Sequence, residues 1–346
     1  MSANLAPRTT VFPRGVEVRT PGRLHLGMIS FGNPAVPSFG GVGVMVEGLG
    51  VGVQLTPSTR FFGRGPLAER AVAFARQCVE AWSLGDLACA IEVTAAPPPH
   101  VGLGSGTQLA LAVAAGMGEL FGTLHSTPSE QRFSNEQAFR LAAAVGRGRR
   151  SCVGIYGFAE GGLILEAGRL ADEPEERVSP LLARVFVPEA WRCVVFLRRG
   201  AEGLHGEAEK EAFARLPPVP EEVSVELARI AAEELVPTAR QGAFAAFSDA
   251  VYRYGRLAGK PFEAESSRLP FHGAIGELIE RLNASGTRGA AQSSWGPAVM
   301  ACCESAAAAE DLVMQLTGRG LAADYSMIVT RFDRGGAVMT GGRATD

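Results

Sequence analysis

Residues 97–108 read Pro97-Pro-Pro-His-Val-Gly-Leu-Gly-Ser-Gly-Thr-Gln108 and run directly into an apolar helix former over 109–115. Gly102, Gly104 and Gly106 alternate with Leu103 and Ser105, and Thr107 and Gln108 close the loop. Glycine has no Cβ, so the backbone N–H groups of such a loop can close on an anion. A helix starting there adds about half a positive charge. The stretch reads as a cradle for phosphate or pyrophosphate; the plainer alternative is a tight turn ahead of a core helix. Ser105 does not fit the G-x-S-x-G elbow of a hydrolase nucleophile.

Two further segments carry chemistry. Gly146-Arg-Gly-Arg-Arg-Ser-Cys-Val-Gly154 holds Arg147, Arg149 and Arg150 in a glycine-broken stretch. Guanidinium groups fork onto phosphate oxygens and stay charged at any working pH. The alternative is favourable charge at a helix C-terminus. In Ala291-Gln-Ser-Ser-Trp-Gly-Pro297, Ser293 and Ser294 can donate to a ligand and Trp295 can stack on one, or the segment is an ordinary turn around a packed Trp. The histidines are His25, His100, His125, His205 and His272, and no two are spaced as a metal pair. His25 and His100 flank the strongest segments and are the acid–base or orienting candidates; each could equally be a structural hydrogen-bonding residue.

Elements must hold these groups in place. Strands are predicted at Val16–Thr20, Arg23–Ser30, Val42–Val46, Gly50–Leu55, Arg60–Phe62, Ala88–Thr94 and Gly161–Glu166. On the second strand, the two-residue period puts Arg23 and His25 on one face, Leu24 and Leu26 on the other. Helices are predicted at Leu67–Trp82, from the glycine loop to Phe121, and from Ser134 to Val145. Ser134 and Gln137 make a capping box for the last of these. The acidic segment 171–177 reads as a linker. Beyond it come a strand at Trp191–Arg198 and helices near 205–215, 221–235, 239–258 and 273–284. A strand, helix and strand follow at Ala298–Cys302, Ala306–Leu316 and Tyr325–Val329. This is an α+β chain of two domains, 1–170 and 178–346, with residues of both halves meeting at the glycine loop.

Composition narrows the function class. With 346 residues and 47% hydrophobic content, the chain can bury large cores. A net charge of −3 argues against nucleic acid as a partner. The basic residues are almost all Arg, and only Lys210 and Lys260 are Lys. Cys78, Cys89, Cys152, Cys193, Cys302 and Cys303 form no C-x-x-C pair, as expected of buried thiols in a reducing cytoplasm. Residues 1–13 carry no signal-peptide pattern, and no apolar run reaches the roughly 18 residues of a membrane helix. The expectation is a soluble cytoplasmic enzyme acting on small molecules.

Pro97…Gly102-Leu-Gly-Ser105 resembles the second motif of the GHMP kinase superfamily. Pro21-Gly22-Arg23 resembles its first motif, and Gln292–Gly296 stands in the place of its third. Within the superfamily, four segments resemble the beta-ribofuranosylaminobenzene 5'-phosphate synthases: Arg23-Leu-His-Leu26, Gly102–Gln108, Gly146–Ser151 and Ser293–Pro297. The resemblance implies a ribosomal-S5-domain-2-like N-terminal domain and a ferredoxin-like C-terminal α/β sandwich. The implied reaction joins phosphoribosyl pyrophosphate to 4-aminobenzoate, or to 4-hydroxybenzoate, releasing CO₂ and pyrophosphate in tetrahydromethanopterin biosynthesis. Mg²⁺ and a homodimer are implied with it.

On that resemblance, Gly102–Gln108, Arg147, Arg149, Arg150, Ser151, Ser293 and Ser294 bind substrate, with Ser105 also a metal ligand. Arg23 orients the aromatic carboxylate, and His25 or His100 serves as base. An ATP-dependent GHMP-type kinase is the alternative. Such kinases often carry a Glu for Mg²⁺ and an Asp for the acceptor hydroxyl. Laid on this sequence without gaps, those positions fall on Ala143 and Gly154. The synthases' usual Gly-Gly-Phe-x-x-Asp-Gly-Gly appears here as Gly161-Gly-Leu-Ile-Leu-Glu166-Ala-Gly-Arg169.

Overall fold

The computed structural model describes residues 15–124, 132–170, 173, 178–200, 206–263, 272–294 and 296–342. The expected N-terminal arm, most of the acidic linker, His125, His205 and Trp295 lie outside the described residues.

The first half contains β1 (Gly15–Arg19), β2 (Gly22–Met28), β3 (Gly41–Val46), β4 (Gly52–Ser58), β5 (Phe62–Arg64), α1 (Ala68–Ala81), β6 (Ala88–Ala95), α2 (Ser105–Leu120), α3 (Asn135–Ala144), α4 (Val153–Glu160) and β7 (Leu163–Glu166). The second half contains β8 (Leu181–Val185), β9 (Arg192–Arg198), α5 (Gly206–Arg215), α6 (Glu221–Arg229), α7 (Val236–Gln241) after a π-helical turn, α8 (Phe244–Glu263), α9 (His272–Ala284), β10 (Ala290–Gln292), β11 (Val299–Cys303), α10 (Ala306–Gly318), β12 (Tyr325–Arg331) and β13 (Val338–Gly342).

Three sheets result, ordered β13-β1-β4-β6-β5, β2-β3-β7-β8 and β10-β11-β9-β12. Two late strands return to the first half: β8 pairs with β7, and β13 pairs with β1. In the third sheet, β9 is followed by helices, then β10, β11, α10 and β12. That sequence and the strand order are those of a ferredoxin-like α/β sandwich. Together they make the expected α+β, GHMP-kinase-like fold of two parts.

Helix α2 is the central piston. Nearly all of it is buried, including Leu109, Leu111 and Met117 at 0% exposure, and it packs on β1 and β4 with α1, α3 and α4 around it. Each such side chain contributes about 1.5–3 kcal/mol on leaving water. Its N-terminus is therefore fixed against the sheet, which makes the loop before it a rigid platform. The Ser134–Gln137 capping box forms as expected and starts α3. Helix α4 was not expected from the sequence. Gly154 and Gly157 lower its intrinsic helix propensity. They also permit its close packing on β3, since a Cβ on Gly157 would overlap Met45 Sδ.

Candidate active site

The glycine loop sits where the two halves close on each other. Gly104, with φ 70°, is the N-cap of α2, and its carbonyl accepts from Thr107 N–H and Gln108 N–H, both at 3.1 Å. The amides ahead of Thr107 belong to the first turn, which has no intrahelical acceptor for them. From the other half, Ser293 Oγ donates to Gly102 O at 2.7 Å and accepts from His25 N–H at 2.9 Å. Ser294 N–H donates to His25 O and Ala298 N–H to Val101 O. A Cβ on Gly296 would overlap the backbone of Gly102. Ser293, Gly296 and Ala298 are thus held on the loop by the Ser293 hydroxyl and by backbone contacts.

The pocket over this loop is lined by Arg23, Arg70, His100, Gly102, Gly104, Ser105, Gly106, Thr107, Arg147, Ser294 and Gly296. Three of these are arginines and none is a carboxylate. Arg23 Nε lies 2.8 Å from where a Gly104 Cβ would stand, so the missing Cβ is what lets the guanidinium lie on the loop. His100 takes a left-handed conformation, φ 62°, and lines the pocket. Arg70, on α1, was not foreseen. Nothing local marks it, because it reaches the loop only through the packing of α1 on α2.

Several expected ligand-binding residues lie elsewhere. Among the three clustered arginines, only Arg147 lines the pocket. Arg149 is exposed, and Arg150 lies over the Phe213 ring of α5, 5.4 Å from its centroid. Gly146 and Gly148, both at positive φ, turn the chain between them and send successive guanidiniums in different directions. Leu103 is 1% exposed and packs into a core cluster, contributing its carbonyl to Arg23 N–H instead. Gln108 is fully buried, its Nε2 donating to Gly154 O at 2.9 Å.

His25 and Ser151 belong to a buried hydrogen-bond chain. Ser151 Oγ donates to Glu166 Oε1 at 2.6 Å, and Cys152 N–H donates to Glu166 Oε2 at 2.8 Å. His25 Nε2 lies 3.1 Å from Ser151 Oγ, and Gly27 N–H donates to His25 Nδ1 at 3.2 Å. Since Ser151 gives its proton to Glu166, His25 must donate from Nε2 and accept at Nδ1. Burial, aided by the Arg23 charge, pushes the His25 pKa down to about 3. Its ring is neutral and both nitrogens are engaged, so the geometry gives it a positioning role and not that of a base. Burial raises the Glu166 carboxyl to about 7, against the pull of hydrogen bonds from Ser151, Cys152, Ser179 and Val153.

A second cavity opens beside the first and shares Ser294 with it. Its wall is formed by His25, Leu26, Gly27, Met28, Gly255, Ala258, Gly259, Phe262 and Gln292, and among the described residues no carboxylate lines it. Strand β2 has a bulge between His25 and Gly27, and Tyr254 Oη donates to Gly27 O at 2.9 Å. The bulge and its brace shape the apolar wall.

The chain is similar to two archaeal proteins named beta-ribofuranosylphenol 5'-phosphate synthase. It is 29% identical to that of Methanothermobacter thermautotrophicus over 302 residues, covering 82% of this chain and 87% of the relative. It is also 29% identical to that of Archaeoglobus fulgidus over 276 residues, covering 77% and 80%. Residues 67–162 match the GHMP kinases N terminal domain family. Together these matches support the resemblance to the beta-ribofuranosylaminobenzene 5'-phosphate synthases, within the GHMP kinase superfamily.

Solved structures agree on the fold. Mevalonate diphosphate decarboxylase from Staphylococcus aureus superposes with a TM-score of 0.65 at 11% identity, covering 94% of this chain and 98% of that one. Homoserine kinase from Cytophaga hutchinsonii gives 0.63 at 15%, covering 97% and 100%. The kinase pattern laid on the sequence would place an Asp at Gly154. A Cβ there would stand 3.3 Å from Thr107 Cγ2, a tight approach, and in ordinary contact with Gln108 Nε2 at 3.6 Å and Arg23 Cδ at 3.7 Å.

Proposed function

We propose that this chain is a pentosyltransferase. It joins phosphoribosyl pyrophosphate to 4-aminobenzoate or 4-hydroxybenzoate, with release of CO₂ and pyrophosphate, in tetrahydromethanopterin biosynthesis. The observation that carries the reading is a glycine-loop pocket, lined among the described residues by three arginines and no carboxylate, adjoining a mainly apolar cavity across Ser294. The relatives' name, a ribofuranosylphenol 5'-phosphate synthase, supports the same chemistry.

In this reading the diphosphate lies on the amides of Gly102–Gly106 at the N-terminus of α2. Preorganised N–H groups, the helix dipole and Arg147 offset the charge that grows as the C1′–O bond breaks. The arene occupies the apolar cavity. Its carboxylate-bearing ring carbon forms the new bond to C1′, pushed by the para substituent. The bond to the carboxylate then breaks, CO₂ leaves with its electron pair returned to the ring, and aromaticity is restored. Arg23, on β2, lies against the loop, placed to orient the arene's carboxylate before it leaves. With both nitrogens of His25 engaged, His100 is the remaining candidate for relieving charge on the para amine.

Mg²⁺ has a narrow place in this proposal. It is usually held by one or two carboxylates together with substrate phosphates. Here Ser105 and Thr107 offer only neutral hydroxyls among arginines, and the described residues contain no cluster of metal-binding side chains. The donor set does not fit a protein-held ion, and no step is routed through one. The same shortage of carboxylates counts against the kinase alternative, whose phosphoryl transfer leans on metal-held phosphates. Among the described residues, no helix is long and apolar enough to cross a membrane. A cytoplasmic homodimer completes the proposal, and light scattering of the purified chain tests its oligomeric part.

Mass spectrometry of the product tests the reaction. The expected product is a phosphoribosylated arene that has lost its carboxylate. A product that keeps the carboxylate, as an ester or N-riboside, would overturn the proposed bond.

A further inference from the structure

Helix α1 has no part in the chemistry so far, yet it presents two residues to the glycine loop. Arg70 and Phe74 stand at i and i+4 and therefore share one helix face. Arg70 lines the loop pocket, and its Nη2 is 3.0 Å from where a Gly106 Cβ would stand. Nη2 of Arg147 is 4.0 Å from the same point. Both guanidiniums therefore face one spot above the second residue of α2. Phe74, one turn further along α1, is 7% exposed and carries the Arg147 guanidinium over its ring, 5.0 Å from the centroid. Cation–π contact of this kind fixes a guanidinium in place. Two guanidiniums that face one spot can both fork onto the oxygens of a single multiply charged anion there.

We propose that Arg70, together with Arg147 seated on Phe74, forms a two-guanidinium clamp on the diphosphate. Helix α1 is then a binding element that faces the N-terminus of α2 across the ligand. The inference rests on the reading of the loop as a pyrophosphate cradle, and adds the residues that close it from outside. Arg70 supplies charge directly, while Phe74 is a positioning residue acting through Arg147.

Calorimetric titration of the full chain with inorganic pyrophosphate tests the clamp. R70Q should weaken binding roughly tenfold or more, as loss of a charge-assisted hydrogen bond does. R70K should recover part of the loss, because it restores the charge without the fork. F74L, which keeps an apolar side chain away from the ligand, should weaken binding about threefold through Arg147 alone. In turnover, R70Q should raise KM for phosphoribosyl pyrophosphate and leave KM for the aromatic acid unchanged. Pyrophosphate binding within twofold of wild type in both folded R70Q and folded F74L would overturn the clamp; if R70Q does not fold, R70K and F74L decide. Wild-type chain that binds no pyrophosphate also overturns it. If R70Q loses pyrophosphate binding but the wild type ribosylates no arene, the clamp stands and the assigned reaction falls.

Discussion

Arg23 and His25 are two residues apart on β2, yet they serve opposite kinds of polar site. Arg23 lies on the open glycine-loop pocket with Arg70 and Arg147. His25 enters a largely buried chain in which Ser151 and Glu166 satisfy one another within the protein, while also lining the second cavity. Buried polar groups are tolerable only when hydrogen-bonded, so the buried chain must be complete before any ligand arrives. The open pocket is instead completed by a ligand. The two sites meet at Ser293 and Ser294, which hold the backbone of His25 and of the loop in one frame. Binding and positioning are thus divided between neighbouring residues of one strand.

Breaking the open site should cost activity and spare the fold. R23Q is expected to lower turnover about 100-fold, the scale of losing a residue that positions the substrate for attack. Steady-state rates with both substrates, alongside an unchanged circular dichroism spectrum, check this.

Breaking the buried site should do the reverse. E166A removes the acceptor of Ser151 Oγ–H and Cys152 N–H in a fully buried position, and should cost about 3 kcal/mol of stability. Denaturant unfolding measures it, and an E166A chain as stable as wild type would refute the structural role.

A substitution in the apolar cavity sharpens the division further. Nothing lies within 4 Å of a Cβ built on Gly259, so G259L can enter the cavity without a clash at its root. It should raise KM for the aromatic acid roughly tenfold, with KM for phosphoribosyl pyrophosphate unchanged.

The smallest effect concerns pH. Glu166 is raised in the folded chain to about 7 from an ordinary 4.5, so its contribution to stability is full below 4.5 and declines as pH rises toward 7. His25 is lowered from 6.5 to about 3, so its contribution is full above 6.5 and declines as pH falls. Between pH 4.5 and 6.5 the two slopes oppose each other. In E166Q only the His25 slope remains, and the melting temperature should rise more steeply from pH 5 to 6.5 than in wild type. Parallel melting curves for the two chains would contradict both assignments.

Local signals explain what was legible in the sequence. The loop glycines, the Ser134–Gln137 box and the apolar run of α2 each act within a few residues, and each appears as expected. Helix α4 was hidden because Gly154 and Gly157, chosen for packing on other elements, mask its helical pattern. Strand β13 was hidden because its partner β1 lies at the other end of the chain. At the site, the same distinction holds. Arg147 was visible as part of a basic cluster, but its separation from Arg149 and Arg150 depends on two left-handed glycines. Arg70 had no local signal at all. The role of His25 turned on Glu166, distant in sequence and paired with it through Ser151.

The most direct test of the central claim uses the full chain, phosphoribosyl pyrophosphate, Mg²⁺ and 4-aminobenzoate labelled in its carboxyl group. Labelled CO₂ should be released in step with pyrophosphate, and the same should hold with carboxyl-labelled 4-hydroxybenzoate if the phenol is the preferred acceptor. No labelled CO₂ from either acid, with ATP consumed instead on a hydroxyl acceptor, would contradict it.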